Sequence, residues 1–267
     1  MVCYSLFSGS SGNCIYLEDG GGRVLIDAGG SMRQIDLALR EIGTSLCEID
    51  AVWITHEHSD HTKGLPVMAK HLNVPFYCQR AVAKELYLTL MQKGNRAEAS
   101  ALARNIRTVN PGEEYEVGSL LITPFQTPHD SVDSQGFIIG DRHLGIATDL
   151  GHVSPEVALY LTGCKNVILE SNHDVEMLYN GPYPPYLKER VASSNGHLNN
   201  GECAAFAGKL LSAGCENLTL FHLSSENNTP QLALEETTGV LCGKMGAVQD
   251  RDFRLRVAAR HEVTRIL

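Results

Sequence analysis

One stretch constrains this chain more than any other: Thr55-His56-Glu57-His58-Ser59-Asp60-His61. His56, His58, Asp60 and His61 are all metal ligands by chemistry. Upstream, Asp50 to Thr55 is an apolar, β-branched-rich run that reads as a buried strand. The ligands therefore sit where a strand ends and a loop begins. In a locally extended backbone, positions two apart point the same way, so His56 and His58 can grip one cation together. Asp60 and His61 fall after the turn and can face a second site beside the first. Imidazole suits Zn, Mn or Fe, and a carboxylate can bridge or complete a neighbouring site. A polar surface loop with incidental histidines is the bland alternative. Three histidines and an aspartate at this spacing argue against it.

The run His56-Glu57-His58-Ser59-Asp60-His61 resembles the HxHxDH signature of the metallo-β-lactamase-fold superfamily. That resemblance implies an α/β fold, the αββα four-layer sandwich with its metal site at one edge.

A chain of 267 residues can bury a substantial core as one large α/β domain or two small ones. There is no internal repeat, low-complexity segment or linker, so one domain over 1–267 is the economical reading. No apolar run reaches membrane-spanning length. Met1 to Phe7 shows no basic region followed by an apolar stretch and cleavage site, so the expected compartment is the cytoplasm. The 8 cysteines are scattered, without a Cys-x-x-Cys pair, and read as reduced, buried small hydrophobes. The formal net charge of −9 argues against a protein that coats nucleic acid through its overall field. It leaves a metallo-nuclease open, because two divalent cations add positive charge where a phosphate must sit. A local basic patch would draw on Arg23, Arg33, Lys63, Arg80, Lys84, Lys188 and Arg190.

Along the chain, short strands fill residues 2–27, broken by the turn-rich Ser8-Gly9-Ser10-Ser11-Gly12-Asn13. That loop is either a plain hairpin connection or a place where backbone N–H groups meet an anion. Asp27 ends a strand, where a carboxylate can orient a ligating histidine; the superfamily has an aspartate at the matching place. Ser31 is placed to cap a helix closed by Gly43, and Leu65 to Leu72 reads as another. Residues 80–104 read as one or two helices that either shape a substrate cleft or simply cover the sheet. Between Asn105 and Leu150 the period returns to two, and two more ligand candidates stand just past strands: His129 and Asp149. His152 and Asp130 could support the site or line it. Pro182, Pro184 and Pro185 suggest an extended loop. Asn199 or Asn200 can cap the helix that follows. His222 repeats the pattern of a ligand at a strand end, before a last helix at about 230–242 and a strand over Phe253–Val257.

The superfamily resemblance implies roles position by position. His56, His58 and His129 would hold the first metal, and Asp60, His61 and His222 the second. Asp149 would bridge them. Two divalent ions, Zn or Mn with Fe also compatible, would then present a bound hydroxide as the nucleophile. No serine or cysteine nucleophile is required. The Ser8–Asn13 loop, Leu169-Glu170-Ser171-Asn172-His173-Asp174, Gly196-His197-Leu198-Asn199-Asn200 and His222-Leu223-Ser224-Ser225-Glu226-Asn227-Asn228 together resemble the YycJ (WalJ) family. Those bacterial enzymes are regarded as 5′-to-3′ DNA exonucleases. The family usually has Ser where this chain has Asn199; both residues cap helices.

A phosphodiester also needs a proton for its leaving oxygen and donors for its other oxygens. Asp60, His173 and His197 are the candidate catalytic residues, and Ser224 and Asn227 candidate donors to a phosphate. His173 and His197 can equally be loop histidines satisfied by backbone. Three functions compete: a phosphodiesterase on nucleic acid, with DNA ahead of RNA; a hydrolase of a cyclic phosphodiester, thioester or lactam; and a non-enzymatic regulator. The complete ligand set argues against the last. The short interval from Asp149 to His222 leaves no room for the extra domain of β-CASP nucleases.

Overall fold

The Ser8–Asn13 loop joins two antiparallel strands, β1 (Val2–Phe7) and β2 (Cys14–Asp19), as turn-rich sequence between two apolar runs requires. The computed structural model describes residues 1–267, which divide into two compact units. The first comprises Met1–Pro124, Ser131–Ser134 and Ala259–Leu267. After β2, its sheet continues through β3 (Gly22–Ile26), β4 (Ala51–Trp53), β5 (Phe76–Cys78) and β6 (Ile106–Thr108), with the C-terminal strand Thr264–Arg265 on the far side of β1. From β3 to β6 the strands are parallel. Parallel pairing demands helical crossovers. Those are α1 (Met32–Glu41), the short α2 (Ser59–Thr62) with α3 (Leu65–His71), and the pair α4 (Arg80–Gln92) and α5 (Arg96–Asn105).

Ser31 caps α1 in a reciprocal capping box with Gln34, and Gly43 follows the helix at φ 82°. The core joins Leu6, Leu25, Ile35, Leu39, Val52 and Phe76. A hairpin of β7 (Tyr115–Val117) and β8 (Leu120–Gln126) completes this part of the chain.

The second unit comprises Phe125–Asp130 and Gln135–Ala258. Its strands β9 (Gln135–Ile139), β10 (Leu144–Ala147), β11 (Asn166–Glu170), β12 (Asn217–Phe221) and β13 (Arg254–Val257) are ordered β13-β12-β11-β10-β9. β9 and β10 are antiparallel and the rest parallel. Every residue of β9, β10 and β11 is buried, so their sequences do not alternate, and only Gln135, Asn166 and Glu170 at the strand ends are polar. The helices are α6 (Pro155–Leu161), α7 (Val175–Asn180), α8 (Pro185–Val191), α9 (Asn200–Ser212) and α10 (Pro230–Thr238). Each unit thus carries one mixed sheet with its helices, the make-up expected of a two-sheet α/β fold.

Several local expectations change. Asp60 and His61 lie in α2 rather than in a loop. The proline stretch is not wholly extended: Pro185 opens α8 from its first turn, where the missing N–H costs nothing. The last helix continues past Thr238 as a π-helical segment, Gly239–Lys244. All 8 cysteines are free. Burial pushes the thiols of Cys78, Cys203 and Cys215 up to about 12, which keeps them protonated and inert. No helix is long and apolar enough to cross a membrane.

Candidate metal centre

In the first unit, β3 and β4 end side by side and deliver Asp27 and the Thr55–His61 segment. Asp27 stands at φ 63°, a left-handed conformation rare outside glycine. It turns its buried carboxylate onto the histidines. Asp27 Oδ2 is 2.7 Å from His61 Nδ1, and Oδ1 accepts from Thr55 N at 2.8 Å. The Thr55 hydroxyl donates to Asp27 and lies 3.0 Å from His56 Nδ1. His56 and His61 are both fully buried, with ring centroids 4.2 Å apart, and the half-buried His58 ring lies 4.5 Å from that of His56. Burial pushes the Asp27 carboxyl up, while His61 and Thr55 oppose it.

Asn13 ties the glycine-rich loop to this segment. Its amide nitrogen is 3.0 Å from His61 Nε2 and 3.3 Å from Asp60 Oδ2, and its backbone N–H donates to the Asp60 carbonyl. The chain passes so close at Gly29 that a β-carbon there would sit 1.8 Å from the Asp60 carbonyl oxygen. The sequence marks the loop but not Asn13 itself.

In the second unit, His129 follows β8, Asp149 follows β10 and His222 follows β12. Asp149 and His222 both stand at φ 57°, repeating the conformation of Asp27. Such backbone costs on the order of 1 kcal/mol or more at each position and persists only where the surroundings hold it. His222 Nδ1 is 3.1 Å from Asp149 Oδ2, which also accepts from the Thr148 hydroxyl at 2.8 Å. His129 Nδ1 is 3.0 Å from the Gly196 carbonyl, and its Nε2 is 3.7 Å from Asp149 Oδ1. Burial holds His129 below the usual histidine range. Asp130 lies 3.3 Å from His129 Nε2 and pairs with Arg190. His152 is instead held by the Ser194 carbonyl.

Glu170 is a residue that the sequence alone does not single out. It ends β11 fully buried. Its Oε1 lies 2.8 Å from His197 Nδ1 and 3.1 Å from His222 Nδ1, while Oε2 accepts from the backbone N–H of Leu150 and Leu198. Burial alone would raise its pKa, but the two histidines and their hydrogen bonds bring it down to about 2. Asp149, Glu170, His197 and His222 form one donor cluster whose ligand atoms all lie within 4.8 Å. In His197, burial works against the charged form, yet Glu170 and Asp149 leave its pKa raised. A signal for Glu170 does exist: a lone carboxylate directly after the apolar run Val167–Leu169, as Asp27 follows Val24–Ile26.

His173 is absent from that cluster. It is buried, Nδ1 has no hydrogen-bond partner, and burial brings its pKa down to about 4. Ser224 and Asn227 close the turn after His222, the Ser224 hydroxyl accepting from Asn227 N at 3.1 Å.

The donor chemistry fits divalent metal. In His56, His61, His129 and His222, Nδ1 is held by an oxygen, which leaves Nε2 as the ligating nitrogen. Buried carboxylates accompany them in both units.

Comparison with known proteins agrees. Residues 22–222 match the model of the β-lactamase superfamily domain. The chain is 34% identical over 234 residues to the exodeoxyribonuclease WalJ of Streptococcus pneumoniae, covering 85% of this chain and 83% of that protein. It is 31% identical over 243 residues to the exodeoxyribonuclease YycJ of Bacillus anthracis, covering 88% and 87%. In fold it resembles YhfI of Bacillus subtilis, a metallo-β-lactamase-fold protein, with a TM-score of 0.68 and 17% identity over 99% of each chain. The chain is a metal-dependent hydrolase of the metallo-β-lactamase fold, and it belongs, within the β-lactamase superfamily, to the family of WalJ and YycJ.

Proposed function

We propose that the chain is a metal-dependent phosphodiesterase that removes nucleotides from the 5′ end of DNA. In this reading His56, His58 and His129 would hold one divalent cation and Asp60, His61 and His222 a second, with Asp149 as the ligand that would be shared. The observation that carries the reading is the anchoring of Nδ1 in four of these histidines, in a family whose bacterial relatives are named exodeoxyribonucleases. When bound, Zn, Mn or Fe ions supply an acidified water and positive charge at the phosphate.

The chain's own residues do the remaining work. Hydrolysis adds water at phosphorus, breaks one P–O bond and requires a proton on the leaving oxygen. His197 is suited to supply that proton. Its side chain is 19% exposed, Glu170 fixes the ring, and the carboxylates of Glu170 and Asp149 beside it favour the protonated form. His173, held neutral, fits the packing of the loop rather than proton donation. Asp60 contributes as a ligand. Ser224 and Asn227 shape the turn that follows His222.

Purified, metal-loaded protein on end-labelled single- and double-stranded DNA and RNA tests the reading. Linear 5′-phosphorylated DNA should shorten from that end, releasing mononucleotides or short products, while covalently closed circles survive. Rapid cutting of circles would replace exonuclease by endonuclease. Inertness on every nucleic acid, with brisk turnover of a small phosphodiester or thioester, would overturn the nuclease reading.

A further inference from the structure

Three asparagines of the second unit, Asn172, Asn200 and Asn228, are buried between the turn that carries His197 and the turn that carries His222. The parallel pairing of β11 with β12 ends at Glu170 and Phe221. One residue further, Ser171 N still donates to the Phe221 carbonyl at 3.0 Å. His222 then turns left-handed at φ 57°, and its carbonyl takes a side-chain donor, Asn172 Nδ2 at 3.0 Å. A buried carbonyl without a donor is costly, and left-handed backbone outside glycine persists only where its surroundings hold it. The Asn172 backbone grips both turns: its carbonyl accepts from Ser224 N at 2.8 Å, and its N–H donates to the Leu198 carbonyl at 2.8 Å.

The other two asparagines close the arrangement. Asn228 Nδ2 lies 2.8 Å from Asn200 Oδ1, and Asn200 Nδ2 returns a bond to Asn228 Oδ1 at 2.9 Å. The Asn228 amide nitrogen also meets the carbonyls of Ser171 and Asn172, at 2.9 and 3.1 Å, while the Ser171 hydroxyl donates to Asn200 Oδ1 at 2.7 Å. The Thr229 N–H can only donate, and it points at Asn228 Oδ1 from 2.9 Å, which fixes the end of that amide that is nitrogen. An aspartate at 228 would set oxygen against three oxygens.

We infer that these asparagines, Asn172 foremost, are positioning residues that join the His197 and His222 turns into one block around Glu170. The inference rests on the reading of His222 as a metal ligand and His197 as the proton donor. Glu170 meets both rings at Nδ1. That contact sets how each ring turns, not where its Cα stands. The residues directly behind Glu170 set the second: Asn172 through the His222 and Leu198 carbonyls, and His173 through its carbonyl, which accepts from Asn200 N at 2.9 Å. A misplacement of about 1 Å in such a group costs on the order of 10²-fold in rate.

The test separates positioning from plain stability. Asn172→Ala removes the donor to His222 and leaves the backbone bonds of position 172 in place. Asn166→Ala is the control: it removes an equally buried amide at the opposite end of the same strand, bonded to His143 and Asn217. Metal-free urea titrations place both variants on one stability scale, and native mass spectrometry across a metal titration gives the dissociation constant of each ion. Asn172→Ala should weaken one of the two ions about tenfold or more, the usual cost of removing support behind a ligand, and leave the other unmoved. At saturating metal its kcat on a 5′-phosphorylated oligodeoxynucleotide should fall about 10²-fold with KM little changed. Asn166→Ala should lose stability alone. Should Asn172→Ala not fold, Ser171→Ala removes a single hydroxyl bond of the same network and should weaken one ion by about 2–10-fold. Ion affinities that stay at wild-type values, or that fall no further than those of Asn166→Ala, would overturn the inference and leave the nuclease reading intact. Wild-type protein that binds no metal would overturn the reading on which the inference rests.

Discussion

Glu170 Oε1 lies 2.8 Å from His197 Nδ1, and the same oxygen is 3.1 Å from His222 Nδ1. One buried carboxylate thus orients both the proposed proton donor and a proposed metal ligand. Glu170→Gln keeps the shape and loses the charge. Metal affinity should fall ~10–100-fold, the usual cost of removing a partner behind a ligand. Activity under saturating metal should stay depressed, because His197 also loses its charge partner. Metal titration and a pH–rate profile check this; a variant whose basic limb does not move would remove Glu170 from the positioning role.

Asp149 joins an unusual backbone to a ligand position. At φ 57°, Asn is tolerated and Ala is not. Asp149→Asn should unfold close to wild type, and Asp149→Ala ~1 kcal/mol more easily, in metal-free urea titrations. Both should lose most activity. Near-wild-type turnover by either would contradict the bridging assignment.

The contrast between these two residues shows what the sequence can carry. Strand-end ligands stand in plain view because a polar residue interrupts an apolar run: His56, His129, Asp149 and His222 all announce themselves this way. Ser31 and its Gln34 partner are equally legible, since capping is local. Asn199 and Asn200 are not separable by sequence. The structure gives Asn199 the cap, with Glu202 closing the box, and sends Asn200 inward to Ser171 and Asn228. Glu170 ends its strand in the same way, but what it and Asn13 do depends on partners 27 and 48 positions away, which no local pattern encodes. The C-terminal strand escapes because two residues have no period.

His173 predicts a pH effect on stability. Its folded pKa is about 4 against an ordinary value of 6.5. The unfolded chain therefore binds the proton more readily, and the stabilisation is full above pH 6.5 and lost as pH falls towards 4. The upper bound is ~3 kcal/mol, from 1.36 kcal/mol per pKa unit. His173→Gln cannot titrate, so the difference between wild-type and variant unfolding free energies should shrink progressively over that interval. A constant difference from pH 7 to pH 4 would show that His173 is not held neutral.

Seven side chains are proposed to make one dinuclear centre. Native mass spectrometry after metal reconstitution counts the ions directly. Wild-type protein should carry two divalent ions per chain. His58→Ala and His222→Ala, which remove a proposed ligand of the first and second ion respectively, should each carry one. Fewer than about one ion in the wild type, or two retained in both variants, would contradict the dinuclear centre.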